Sequence, residues 1–170
     1  YEDIIELSTK YLNNKAPSPN LLYARAMAYE ELREIKLMEK DLTTVLLIDQ
    51  KNANTLNALG YSLTVHTQRY DEAYELIHEA HLYDPGSAAI LDSLGWVEYK
   101  RGNYVDALKF IEASYERDKD KEIILHYCEI LIQIKSYDKL KKIIYIELER
   151  NSDDESFVQK LNSMNNEIPL

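Results

Sequence analysis

The residues of this sequence that could do chemistry are its histidines, its single cysteine and its carboxylates. His78 and His81 lie three apart, a spacing that lets two imidazoles on one helix reach one metal ion, but no His-Glu-x-x-His string accompanies them. His126 and Cys128 lie two apart, so on a helix they point to different faces and do not form a nucleophile–base pair. No glycine-rich phosphate loop or nucleophile elbow is present. We therefore predict no enzymatic activity, with no catalytic residue, no cofactor and no metal site.

The composition excludes several other classes of protein. The 170 residues are 45% hydrophobic, which is enough for a core, and 20 basic against 30 acidic residues give a net charge of −10 that argues against nucleic acid as a partner. One cysteine excludes an internal disulfide, and four Gly and four Pro are too few for the turns of a β-sandwich. No apolar run approaches the roughly 18–20 residues that span a bilayer. We expect an all-helical chain that does not itself insert into a membrane, with any targeting segment upstream of Tyr1.

A repeat of about 34 residues runs along the chain. An aromatic or aliphatic residue recurs in steps of 34, 35, 34 and 33, at Tyr1, Ile35, Tyr70, Tyr104 and Tyr137. A second track of mostly small residues has the same phase, at Ala26, Gly60, Gly95 and Cys128. Residues suited to capping a helix N-terminus precede the first helix of each unit, at Ser18, Asn52, Ser87, Asp120 and Asp153. The agreement of three tracks predicts repeated helical units.

Each unit is predicted to contain two helices, because apolar residues follow the spacing of three and four twice per unit. We expect helix pairs at 19–33 with 36–48, 53–67 with 70–83, 88–101 with 104–117, and 121–135 with 137–150. The corresponding domain is a single one: a half unit at 1–17, units at 19–52, 53–87, 88–120 and 121–153, and a capping helix at 154–165. Gly60 and Gly95 should let paired helices approach closely, Gly102 should end a helix in the left-handed conformation, and Asn103 should cap the next helix.

These features resemble the tetratricopeptide-repeat (TPR) family. The second unit carries Leu56, Leu59, Gly60, Ala73 and Pro85 in the family's order, and the third carries Leu94, Gly95, Tyr104 and Ala107. Ala26 and Cys128 replace the glycine in the first and fourth units. The resemblance implies an all-α, right-handed superhelical solenoid of antiparallel helix pairs. It also implies that the first helix of each pair lines a concave groove in which a protein or peptide binds.

Carrying the groove positions over predicts a partner-binding site rich in aromatic and acidic residues: Tyr23, Met27, Asn54, Asn57, Tyr61, Asp92, Trp96, Tyr99 and Glu129. Large aromatics with a polar tip are frequent anchors of interfaces. We expect Tyr61, Trp96 and Tyr99 to anchor a somewhat basic, extended or helical segment. The alternative for Trp96 is that it packs between neighbouring first helices. Chaperone tails are disfavoured as ligands, because Tyr23, Met27 and Ala58 occupy the positions at which family members carry Lys, Arg and Asn.

The segments at 21–26, 57–63 and 90–99 resemble more narrowly the TPR lipoproteins of the Gram-negative envelope, some of which are adaptors for a carboxy-terminal processing protease. This resemblance implies a periplasmic scaffold held at the outer membrane by a lipid anchor upstream of Tyr1. Two alternatives are a cytoplasmic assembly or co-chaperone module and an accessory TPR region of a larger enzyme. Residues 1–13 carry Ile4, Ile5, Leu7 and Tyr11 at one end, so self-association through repeat ends is a further expectation.

Overall fold

A computed structural model describes residues 1–13 and 17–168. In these ranges the chain forms ten α-helices and no strand. The helices are α1 (Glu2–Leu12), α2 (Pro19–Glu31), α3 (Ile35–Ile48), α4 (Ala53–His66), α5 (Tyr70–Tyr83), α6 (Ala88–Arg101), α7 (Tyr104–Arg117), α8 (Lys121–Gln133), α9 (Tyr137–Arg150) and α10 (Glu155–Asn166). In helices α2 to α10, no end differs from its predicted position by more than two residues. Of the predicted half unit at 1–17, α1 covers Glu2–Leu12, and residues 14–16 lie outside the described ranges. The chain divides into two compact units, Tyr1–Gly86 and Ser87–Leu170. We call these the first and the second unit; each is larger than the sequence units of about 34 residues, which we call repeats.

Side-chain capping fixes where several helices begin. Asn52 accepts a hydrogen bond from the backbone N–H of Thr55, Ser87 from that of Ile90, and Asp120 from that of Glu122. Ser18 makes no such bond, and Pro19 follows it at the first helical position, where proline is favoured because its fixed φ suits the helix and no N–H is needed there. The predicted cap Asp153 is wrong by one residue. Asp154 caps α10 instead, through the N–H of Phe157.

The first unit contains α1 to α5, and its core is built on the two helix pairs α2/α3 and α4/α5. Gly60 lies against α5 so closely that an added Cβ would be 2.5 Å from Ile77 Cγ1 and 2.8 Å from the Ala73 carbonyl oxygen. The predicted close approach at Gly60 is therefore confirmed. On α1, Ile4 and Leu7 are exposed, while Ser8 is buried. Self-association through this end stays a prediction.

A bidentate ion pair joins α2 to α3 in the first unit. Arg25 Nε donates to Asp41 Oδ2 at 2.6 Å, and Arg25 Nη2 donates to Asp41 Oδ1 at 2.8 Å. Arg25 Nη1 also donates to the Thr9 hydroxyl of α1 at 2.9 Å. One guanidinium thus connects three helices, and this hydrogen-bonded carboxylate raises the pKa of Arg25.

The second unit contains α6 to α10, and its largest apolar cluster lies among α7 to α10. Phe157 and Leu161 of α10 are buried in this cluster, and Met164 packs against it. The last helix therefore covers apolar surface of α8 and α9.

Gly95 approaches α7 less tightly than Gly60 approaches α5. The nearest atom to its added Cβ would be the Ile111 backbone nitrogen at 3.1 Å, against 2.5 Å for the nearest atom at Gly60.

The turn inside three of the helix pairs uses one residue in the left-handed conformation. Gly102 has a φ of 82°, as predicted, whereas Arg33 and Lys135 adopt φ of 59° and 58° at the same place in their repeats. Asn103 does not make the predicted cap. Its side-chain amide donates instead to Glu98 Oε2 at 2.6 Å.

Within the described ranges, no helix is both long and apolar enough to cross a bilayer.

Candidate functional site

The first unit brings two of the predicted site residues, Tyr23 of α2 and Asn54 of α4, to one cavity of about 340 Å³. We call this cavity the amide pocket, because asparagines dominate its polar lining. Its walls are Pro19, Asn20, Tyr23, Val45, Asn52, Asn54 and Thr55. These walls carry no ionisable group other than the phenol of Tyr23. Burial, with the nearby Glu30 carboxylate, raises the pKa of Tyr23, so its hydroxyl remains neutral and can donate a hydrogen bond.

The other predicted residues of the first unit lie outside the walls of the amide pocket. Met27 on α2 and Asn57 and Tyr61 on α4 are all half-buried. The Asn57 carbonyl oxygen Oδ1 is buried and has no hydrogen-bond partner among the described residues. Such an acceptor is costly to leave unsatisfied, which favours a ligand or water donor at this place.

A polar cluster next to these residues was not among the predicted site residues. Glu30 of α2 accepts a hydrogen bond from the Ser62 hydroxyl of α4, and its Oε1 lies 3.5 Å from His66 Nε2. Ser62 and His66 lie four apart, so they share one face of α4. Glu30 and Ser62 are 32 residues apart, which is close to the repeat length of about 34. This separation and the spacing of Ser62 and His66 are the signals in the sequence from which the cluster could have been predicted.

In the second unit, the structure buries Asp92 and Trp96, whose exposed fractions are 5% and 7%. His126 Nδ1 lies 2.9 Å from Asp92 Oδ1, and the His126 ring stacks on the Trp96 indole with centroids 4.0 Å apart. The prediction of Trp96 as an exposed anchor is therefore wrong, and the packed alternative is confirmed. Asp92 is buried as well and pairs with His126. Burial raises the pKa of Asp92, partly offset by its hydrogen bond to His126.

Asp92 and His126 are 34 residues apart, which is one repeat length. Equivalent positions of neighbouring first helices face each other, so the repeat period itself could have predicted this pair. The sequence pattern singles out His126 only for its position two residues before Cys128. Cys128 is fully buried, and burial raises the pKa of its thiol to about 12.

The remaining predicted residues of the second unit, Tyr99 of α6 and Glu129 of α8, border a second cavity of about 320 Å³. We call it the acidic pocket. Its walls are Tyr99, Glu129, Ile132, Gln133, Met164 and Glu167. The contribution of α10 was not predicted, although Met164 and Glu167 lie three apart and so share one face at the end of that helix. No group of three or more metal-ligating side chains occurs among the residues that the structure describes.

The ten helices of the described ranges, their 34-residue pattern and the glycines where paired helices lie close together define the chain as having the tetratricopeptide-repeat fold. It is similar to a TPR repeat-containing protein of Pseudomonas aeruginosa, with 45% identity over 110 residues that cover 65% of this chain. The chain spans 19% of the length of that relative. No family model matches the chain.

Solved structures support the same fold at low identity. A thermophilic TPR protein of Thermus thermophilus superposes with a TM-score of 0.82 at 16% identity, covering 94% of this chain and 88% of that one. YrrB, described as a TPR protein with an unusual peptide-binding site, gives a TM-score of 0.69 at 16% identity, covering 94% of this chain and 82% of that one. The all-α tetratricopeptide fold class is thus confirmed.

Proposed function

We propose that the chain is a non-catalytic scaffold that binds protein or peptide segments at its first helices. The observation that carries this proposal is that each compact unit has a pocket whose walls include residues of its first helices. The amide pocket uses α2 and α4, and the acidic pocket uses α6 and α8. Concave surfaces built from successive repeats are the usual binding surfaces of repeat proteins.

The chemistry of the two pockets suits polypeptide ligands. Asparagine side chains both donate and accept hydrogen bonds, as a peptide main chain does, so the amide pocket can pair with backbone groups of an extended segment. Tyr23 and Tyr99 offer an apolar ring with a polar tip, the combination that is enriched at interface anchors. The peptide-binding site ascribed to YrrB, a structure of the same fold, supports the same class of ligand.

Peptide selection by phage display against the full chain tests this proposal. Tyr23→Ala and Tyr99→Ala should each weaken binding of the selected peptides, because each removes an anchor from a pocket wall. Tyr145→Ala is the matched control, since this tyrosine is 63% exposed on α9, outside both pockets. Equal loss in all three variants, or no loss in the two pocket variants, would contradict the proposal.

We further propose that the chain belongs to a periplasmic lipoprotein that brings a protease or another envelope enzyme to its substrates. The support for this more specific role is that the three segments at 21–26, 57–63 and 90–99 resemble TPR lipoproteins of the Gram-negative envelope. Labelling of the full-length protein with a radioactive fatty acid in the source cell, followed by membrane fractionation, tests it. A lipidated protein in the outer-membrane fraction is the expected result, and an unlabelled protein in the cytosol would refute it.

A further inference from the structure

The acidic pocket has walls of a single charge sign. Glu129 of α8 and Glu167 at the end of α10 supply two carboxylates, and among the residues that the structure describes no Lys, Arg or His belongs to its walls. Ile132 and Met164 supply apolar surface beside them. A cavity of about 320 Å³ lies at the lower end of the range found for ligand pockets, roughly 300–1,000 Å³. It therefore suits one side chain of a partner better than a large cofactor.

Tyr99 forms the aromatic wall of this pocket, and a cation of the chain itself already lies near Tyr99 and the Trp96 ring stacked on it. Tyr99 stacks on Trp96 with ring centroids 5.0 Å apart, and Lys100 Nζ lies 4.2 Å from the Trp96 centroid and 5.3 Å from that of Tyr99. Cations bind the faces of such rings because of the ring quadrupole. The negative potential of this region also acts on Tyr99, whose pKa is raised by burial first and by the charge of Glu129 second.

Buried partners hold the aromatic wall in place. The Trp96 indole stacks on the rings of both Tyr99 and His126, and His126 is itself held by Asp92. Tyr99 also contacts the Tyr104 ring, with centroids 6.0 Å apart. A wall that is ordered before binding loses less conformational entropy when a ligand arrives. Asp92 and His126 are positioning residues in this arrangement.

We propose that the acidic pocket binds an arginine side chain of the partner segment, with the guanidinium against Tyr99 and facing Glu129 and Glu167. The proposal rests on the protein-binding function above and assigns a side-chain chemistry to one of its pockets. Arginine fits better than lysine, because its planar guanidinium stacks on an aromatic face and pairs with carboxylates through two parallel hydrogen bonds.

Methyl NMR of the full chain, labelled at Met and Ile, tests this assignment with small probes. N-acetyl-arginine amide is titrated beside its citrulline counterpart, which has nearly the same shape but no charge, and beside the lysine counterpart. We expect the methyl signals of Met164 and Ile132 to shift with arginine, with binding about tenfold weaker for citrulline. Binding should also weaken with added salt.

Variants then identify the carboxylates that are responsible. Glu129→Gln and Glu167→Gln should each weaken arginine binding several-fold, whereas Glu155→Gln at the exposed start of α10 should not. Equal binding of arginine and citrulline, equal or tighter binding of lysine, or shifts confined to methyls outside the pocket would overturn the proposal. Protein ligands that still bind the double variant Glu129→Gln/Glu167→Gln with unchanged affinity would overturn the arginine pocket but leave the scaffold function intact.

Discussion

The amide pocket and the acidic pocket have nearly the same volume and contrasting chemistry. About 340 Å³ in the first unit is bordered by neutral amides and one tyrosine, whereas about 320 Å³ in the second unit is bordered by two carboxylates beside an aromatic wall. Both have walls from neighbouring first helices, α2 with α4 and α6 with α8, and the acidic pocket has a further wall from α10. The repeat therefore determines where pockets form, and the residues outside the core determine what each pocket can bind.

The interiors of the two units differ in a parallel way. In the first unit, a charged pair between Arg25 and Asp41 joins α2 to α3, and Gly60 lies so close to α5 that an added Cβ would be 2.5 Å from Ile77 Cγ1. In the second unit, a histidine–aspartate pair supports an aromatic stack, and the contact at Gly95 is looser. We expect the first unit to depend more on each of these single residues than the second does.

The largest predicted effect is on the ion pair of the first unit. Asp41→Ala removes the carboxylate from a guanidinium that stays half-buried, which should lower the free energy of unfolding by about 3 kcal/mol. Asp106→Ala, at the exposed start of α7, should cost only a few tenths of a kcal/mol by weakening the helix-dipole interaction. Urea denaturation measures both variants. A loss below about 1 kcal/mol for Asp41→Ala would show that Arg25 finds solvent or another partner.

Alanine at the two close-contact glycines compares the units directly. Gly60→Ala places a methyl 2.8 Å from a backbone oxygen that cannot move easily, so we expect a loss of about 2 kcal/mol despite the better helix propensity of alanine. Gly95→Ala meets its nearest atom at 3.1 Å, and the gain in propensity should offset most of the strain. Thermal and urea unfolding give the order. A greater loss for Gly95→Ala would reverse the comparison.

Substitutions at the left-handed turn residues should change the free energy of unfolding in opposite directions. Arg33 and Lys135 have a positive φ, which strains a residue that carries a Cβ. Arg33→Gly and Lys135→Gly remove this strain and should each stabilise the chain by up to about 1 kcal/mol. Gly102→Ala imposes that strain in the second unit and should cost about 1 kcal/mol. The three midpoints in urea provide the measurement. Stabilisation by Gly102→Ala would contradict the explanation.

The Asp92 carboxyl should give the second unit a pH dependence of its own. Because burial raises the pKa of Asp92 in the folded chain, the folded state holds this proton more tightly than the unfolded state. The resulting stability is present on the acid side and is lost as pH rises from the ordinary aspartate pKa through the raised one. Asp92→Asn should remove that decline from the curve of unfolding free energy against pH. Identical slopes for both proteins would contradict it.

Periodicity predicted the helices well because every repeat has the same apolar spacing and small residues at the closest contacts. The groove positions implied by the family resemblance included Tyr99 and Glu129, yet they could not show that α10 completes the acidic pocket, because α10 lies outside the repeat. The error on Trp96 has a different origin. Its burial depends on the stack with His126, a contact between two helices that the groove positions of one repeat do not reveal.

Photo-crosslinking in the source cell can locate the surface at which partners bind, which we place at the first helices of both units. A photoreactive phenylalanine analogue replaces Tyr23 or Tyr99 at the pockets, or Leu47 or Val105 on second helices, where these side chains are 76% and 84% exposed. We predict that the same partner is crosslinked from Tyr23 and Tyr99 and from neither second-helix position. Crosslinks only from positions 47 and 105 would contradict the account.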